Sequence, residues 1–133
     1  MAAWAAITMS TVNVTSSEFE GVIQKGGITF VDFWAAWCGP CKAFAPVFES
    51  ASTRFPEINF VKVDTDAESE LASAANITSI PTLMAFRDGI LVFRQPGALS
   101  SPSFEELIQA VKNLDMDSIK AEIAAEAAKD NAK

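Results

Sequence analysis

Apolar and polar positions along this chain fall into two rhythms, one with the period of a strand and one with that of a helix. Ile28-Thr29-Phe30-Val31-Asp32-Phe33-Trp34 is β-branched, aromatic and almost wholly apolar. It predicts a strand covered on both faces, at the centre of a sheet. Ile58-Asn59-Phe60-Val61-Lys62-Val63 predicts a second buried strand, and residues 11–14 a shorter one. Residues 82–86 and 90–95 flank Arg87-Asp88-Gly89. Asp-Gly between apolar runs is a strong hairpin signal, so this pair supplies an antiparallel edge.

Helical signals fill the gaps. Thr15-Ser16-Ser17-Glu18 has capping-box spacing and predicts a helix over about 17–25, stopped by Gly26-Gly27. Phe44, Val47, Phe48 and Ala51 give helical spacing across 41–55, with Pro46 predicted to kink the helix against the Lys42 carbonyl. Thr65-Asp66-Ala67-Glu68 offers a cap for a short helix to about residue 75. Ser101-Pro102 reads as a cap followed by a first-turn proline, and Phe104, Leu107, Ile108, Val111 and Leu114 trace one helix face. Beyond Asp115 the chain is rich in Ala, Lys and Glu, and Met116, Ile119 and Ile123 make only a thin apolar stripe. That pattern predicts a weak extra helix, fraying toward its end and mostly solvated.

Strand, helix, strand, helix followed by a hairpin predicts an α/β fold with a central mixed sheet of about five strands flanked by helices. At 133 residues the chain fits one domain, able to bury a core without crosslinks. The expected division is an extra N-terminal segment over 1–10, the domain over 11–114 and a helical extension over 115–133. Met9 is an alternative start to Met1.

Composition narrows the function. Half the residues are hydrophobic and a fifth charged, the balance of a soluble globular domain. A net charge of -7, with scattered basic residues, argues against nucleic acid as a partner. No run approaches the roughly 20 apolar residues of a membrane span. Residues 1–9 include Trp4 and Ile7 but no basic n-region, so no secretory signal is read and a cytoplasmic location is expected.

The candidate chemistry is concentrated in one place. The only two cysteines, Cys38 and Cys41, are separated by Gly39 and Pro40, and the chain has no histidine. Two thiols so spaced can join within a single turn and cycle between dithiol and disulfide. Structural zinc would require four Cys or His ligands, and covalent haem a histidine where Lys42 follows the pair, so no metal is expected.

Val31-Asp32-Phe33-Trp34-Ala35-Ala36-Trp37-Cys38-Gly39-Pro40-Cys41-Lys42 resembles the active-site signature of the thioredoxin family. Ala45-Pro46, Ser79-Ile80-Pro81-Thr82 and Pro96-Gly97-Ala98 agree with the family in order and spacing, and the resemblance covers about residues 11–114. It implies a thioredoxin fold and a protein disulfide reductase, with Cys38 as attacking and Cys41 as resolving thiol. It implies Ile80-Pro81 as a cis peptide facing the dithiol, Asp32 as a buried acid beneath it and Lys62 as the lysine nearby. Trp37, Gly39, Pro40, Ile80, Pro81 and Gly97 are then the substrate-binding residues, with Trp34 and Pro96 beside them. No cofactor is implied beyond the redox-active Cys38-Cys41 disulfide. The implied partners are disulfide-containing client proteins and an NADPH-dependent flavoprotein thioredoxin reductase, the protein itself acting as a monomer in electron transport and cell redox homeostasis.

Residue chemistry supports those roles without closing every alternative. An X-Pro bond admits the cis form far more readily than other peptides, yet Pro81 and Gly97 also read as ordinary turn residues. Burial would raise the Asp32 pKa, with Lys62 opposing part of the rise, although a strand acid can equally be capped and a strand lysine can snorkel to solvent. A helix N-terminus supplies only about 0.3–1 kcal/mol toward ionising Cys38. Extra thiolate is largely offset by weaker nucleophilicity, so docking and the effective molarity of Cys41 are expected to matter more. Asn76 and Ser79 stand where the family often has glycine, and Pro96 where a β-branched residue is common. The rival functions are a thiol oxidase or isomerase, and a redox-controlled binding module without enzymatic activity.

Overall fold

The computed structural model describes residues 10–131, so the expectations for residues 1–9 lie outside the described residues. Five strands and five helices follow in the order β1 (Thr11–Asn13), α1 (Ser16–Gln24), β2 (Ile28–Trp34), α2 (Gly39–Arg54), β3 (Asn59–Asp64), α3 (Ser69–Ala74), β4 (Thr82–Arg87), β5 (Ile90–Pro96), α4 (Ser101–Lys112) and α5 (Met116–Asn131). The sheet order is β1-β3-β2-β4-β5. β1 and β2 run parallel to β3, whereas β4 is antiparallel to both β2 and β5. The predicted mixed sheet is therefore present, with β2 inside it.

Alternation along β2 divides the core. Phe30 points into a cluster with Phe44, Phe48, Phe60, Leu83, Phe104 and Ile108, which seats α2 and α4 on one face. Val31 and Phe33 point the other way, toward Val61, Val63, Met84 and residues of α1 and α3. Five phenylalanines of the first cluster, Phe30, Phe44, Phe48, Phe60 and Phe104, are at most 1% exposed, and their rings meet at 5.4–6.2 Å. Edge-to-face and stacked pairs of this kind add about 0.5–1.5 kcal/mol each beyond the area they bury. They hold α2, and with it the dithiol, in one place on the sheet.

Local chemistry shifts several helix starts. The carboxylate of Glu18 accepts from the Thr15 N–H at 3.0 Å, closing the N-terminus of α1 as the box spacing predicts. Thr65 does not cap α3: its hydroxyl donates to the Trp34 carbonyl at 3.0 Å, and Glu68 accepts from Ser16 N at 2.8 Å. With those groups engaged in tertiary contacts, residues 65–68 form turns and the helix begins at Ser69. Ser100, rather than Ser101, caps α4, its hydroxyl accepting from Ser103 N at 3.3 Å, and Pro102 then falls one residue inside the first turn. α2 continues through Pro46 to Arg54. Asp88 (φ 55°) and Gly89 (φ 80°) turn the β4–β5 hairpin through the left-handed conformations that a two-residue connection requires.

Arg87 joins the hairpin to α4. Its Nη1 donates to the carbonyls of Val111 (2.9 Å), Lys112 (3.1 Å) and Leu114 (3.0 Å), groups that the end of a helix leaves without internal partners. Met116 is buried beyond this junction, whereas residues 120–130 of α5 are exposed. Asp115 accepts from Ser118 N at 3.2 Å, and the helix persists to Asn131, longer than a thin apolar stripe suggests. Alanine-rich composition, with its high helix propensity, accounts for the length.

Arg87→Met is expected to lower stability by about 1.5–3 kcal/mol in urea unfolding, the range for hydrogen bonds to a charged group. A chain ending at Lys120 is expected to change stability by less than about 1 kcal/mol, since the exposed part of α5 contributes little burial. A larger loss would make α5 part of the folded unit.

Candidate functional site

β2 ends at Trp34, and the next residues, buried Ala35 and exposed Ala36 and Trp37, carry the chain over the sheet edge to Cys38. Cys38 adopts extended backbone (φ -90°, ψ 115°) and is the N-cap of α2, its Sγ accepting from Cys41 N at 3.2 Å. Gly39 and Pro40 occupy the first turn, where the missing proline N–H costs nothing. Cys38 and Cys41 form a disulfide with a Cα–Cα distance of 5.2 Å. Exposure does not separate the two, at 5% and 3%, but position does. Cys38 stands before the helix with its Sγ 3.7 Å from the Ile80 carbonyl, whereas Cys41 lies within the first turn and lines an inner cavity.

The loop opposite comes from β4. The Ile80–Pro81 peptide is cis, as the resemblance implies. The Thr82 hydroxyl donates to Ser79 O at 2.6 Å, and Gly97 N donates to Pro81 O at 2.7 Å. Gly97 has φ 105°, a conformation that a side chain would strain, so a glycine is required where β5 leaves this loop. Trp37 (69% exposed), Gly39, Pro40 and Gly97 are exposed, Ile80 half-buried and Pro81 buried. Those predicted residues thus converge around the disulfide.

Asp32 lies beneath. It is 1% exposed, and neither carboxylate oxygen has a hydrogen-bond partner. Burial raises its pKa from 3.8 to about 6, with the charge of Lys62 pulling the other way. Lys62 is its register partner on β3. The ammonium, however, lies 4.9 Å from the Trp34 ring centroid, a cation–π contact rather than an ion pair with the acid. Trp34, Ala35, Ala36, Cys41, Lys42, Ala45 and Lys62 line a cavity of about 250 Å³, roomy enough for water beside Cys41. Among the described residues no group of three or more His, Cys, Asp or Glu side chains is placed to hold a metal ion.

Two features escape the sequence reading. Asp66 accepts from Trp37 Nε1 at 2.9 Å and so orients the exposed indole. Asp64 in turn accepts from the Asp66 and Ala67 amides at 2.9 and 3.2 Å, folding the turn that delivers Asp66. Asp64-Thr65-Asp66 at the end of a strand is a turn signal, but it overlaps Thr65-Asp66-Ala67-Glu68, whose spacing predicts a helix cap.

A family model described as Thioredoxin matches residues 10–113. The chain is 45% identical over 115 residues to a putative thioredoxin 2 of Streptomyces coelicolor, covering 86% of each protein. It is 40% identical over 102 residues to a thioredoxin of Staphylococcus saprophyticus, covering 76% of this chain and 97% of that one. A solved Plasmodium falciparum thioredoxin superposes with a TM-score of 0.69 at 36% identity, over 75% of this chain and 97% of that one. Oxidised mitochondrial thioredoxin 3 of Saccharomyces cerevisiae gives 0.70 at 30% identity, over 78% and 98%.

A raised carboxyl pKa ties stability to pH. Because folding raises the Asp32 pKa, its stabilising effect is complete below 3.8 and is lost as pH rises through about 6. A shift of about two units corresponds to about 3 kcal/mol. Oxidised Asp32→Asn is therefore expected to exceed the wild type in urea stability by about 3 kcal/mol at pH 8, with the gap closing below pH 4. A gap independent of pH would show that Asp32 ionisation is not its source.

Proposed function

The chain belongs to the thioredoxin family and is a thiol-disulfide oxidoreductase, and on that footing we propose that it reduces protein disulfides with Cys38 attacking and Cys41 resolving. The observation that carries the assignment is the position of Cys38. It is the N-cap sulfur, it receives the Cys41 N–H, and it faces the Ile80 carbonyl at the edge of the exposed surface. In the reduced protein the Cys38 thiolate attacks one substrate sulfur, forming a mixed disulfide and expelling the other sulfur as a thiolate. Cys41 then attacks Cys38 Sγ, which forms the observed Cys38–Cys41 disulfide and releases the second substrate thiol. Two electrons pass from the dithiol to the substrate.

Asp32 supports the second step. A carboxyl titrating at about 6 can hold or accept a proton near neutral pH, and the cavity that Cys41 and Lys62 line leaves room for water beside the Cys41 thiol. Lys62 restrains the rise in the Asp32 pKa, keeping part of the population ionised. Trp37, Gly39, Pro40, Ile80, Pro81 and Gly97 form the docking face, where an extended substrate chain bonds the loop backbone at Ile80-Pro81. The catalytic unit is residues 11–114.

Disulfide-containing proteins are the substrates in this reading, and a similar fold appears in a structural study of a yeast mitochondrial peroxiredoxin resolved through glutathione and thioredoxin systems. A flavoprotein thioredoxin reductase using NADPH restores the dithiol. No helix among the described residues is long and apolar enough to cross a membrane. The protein is read as a cytoplasmic monomer.

Wild type is expected to reduce insulin disulfides with dithiothreitol, Cys38→Ser to be inactive, and Cys41→Ser to trap disulfide-linked clients on Cys38. A glutathione equilibrium giving a potential of about -270 mV, the value typical of thioredoxin itself, is expected. One near about -180 to -120 mV would instead indicate an oxidase or isomerase.

A further inference from the structure

Arg94 of β5 directs its guanidinium to the start of the segment that carries the cis peptide. Its Nη1 donates to Ala75 O at 2.5 Å and its Nη2 to Asn76 O at 2.6 Å. Those carbonyls end α3. Ile77 N bonds back to Ala72 O at 2.9 Å and Asn76 N to Ser73 O at 3.0 Å, with Asn76 in the left-handed conformation (φ 56°). This closure engages carbonyls of the last helical turn and leaves those of Ala75 and Asn76 directed at the guanidinium fork. The register pairs Arg94 with Met84, whose side chain packs in the cluster that Leu71, Ala75 and Ile77 also join, so β5 delivers the fork to the α3 side of the sheet.

The same stretch of chain also fastens the far end of the loop. Gly97, three residues after Arg94, donates its N–H to Pro81 O at 2.7 Å. The loop from Asn76 to Pro81 is therefore pinned at its start by Arg94 and at its finish by Gly97, with Ile80 O facing Cys38 Sγ between them. Arg94 is exposed, and its two bonds are to the backbone, so loop residue identity does not alter the contact.

We propose that Arg94 is a positioning residue for protein substrates: its fork fixes the Asn76–Pro81 loop in the register that an extended substrate chain needs to pair with Ile80-Pro81. The proposal rests on the reading of that loop as part of the docking face. A protein substrate is held on this face by backbone pairing with the loop, so a loop that loses its register weakens binding before the chemical step. A small aromatic disulfide reaches the sulfur without using the loop. Loss of the fork thus separates the two substrate classes.

The test follows oxidation of the reduced protein by stopped-flow fluorescence, with insulin and with 5,5′-dithiobis(2-nitrobenzoate) as oxidants. Arg94→Met is expected to raise half-saturation by insulin about 5- to 10-fold, with the limiting rate and the small-disulfide rate within about 2-fold of wild type. Arg94→Lys keeps the charge but loses the planar two-donor fork, and is expected to recover less than half of the loss. In hydrogen exchange, amides of residues 77–80 should open about 10-fold faster in Arg94→Met while those of β2 and β3 do not change. Unchanged half-saturation, full recovery by lysine, or equal loss with both oxidants would overturn the proposal. Pro81→Ala, measured alongside, separates the underlying reading. If it too leaves insulin half-saturation unchanged, the loop is not a docking element; if it raises it while Arg94→Met does not, only the role of Arg94 fails.

Discussion

Burial of β2 on both faces is the constraint from which the rest of the molecule follows. Its backbone is saturated by β3 on one side and β4 on the other, and its side chains supply both core clusters. A strand so enclosed has no freedom in register, because a shift of one residue would drive Phe30 and Asp32 to the opposite face. The chain must therefore leave the sheet at Trp34, and Cys38 must open α2 above that edge. Antiparallel pairing of β4 with the same strand brings the start of β4, and the cis peptide before it, to the same end. Dithiol and loop meet because both flank one strand.

That enclosure also carries a cost, and the cost is the acid. Asp32 occupies a position in β2 where packing alone would favour an apolar residue, and its oxygens have no hydrogen-bond partner. Lys62 sits opposite in the ladder, but its ammonium is held over Trp34. Burial lifts the carboxyl's pKa to about 6, and the charge of Lys62 offsets only part of the rise. A fully paired acid would stabilise the fold better and exchange a proton less readily near neutral pH. The phenylalanine cluster on the same side offsets the penalty.

Strand periodicity and the Asp88-Gly89 turn made the sheet and its mixed direction readable, because alternation and left-handed turn residues act over a few positions. Helix starts were less readable wherever a capping side chain found a distant partner. Thr65 and Glu68 carry the right groups at the right spacing, yet Trp34 O and Ser16 N claim them. Asp66 was missed for the same reason: its role depends on Trp37, which is 29 residues earlier and meets it only through the pairing of β2 with β3. Arg94 looks like a surface residue of an edge strand until the end of α3 is placed beneath it.

By itself the sequence determined the chemistry and the order of its supports. Two cysteines within one turn, no histidine, an acid six residues before the first thiol and an Ile-Pro pair ahead of a strand specify a dithiol and a loop. Tertiary structure alone decided which sulfur faces the loop, that Lys62 contacts Trp34 rather than the acid, and which side chains orient Trp37 and tie down residue 76. Local spacing sets what a residue can bond within a turn or a strand. Which distant partner it bonds is decided only when the sheet register brings the two into contact.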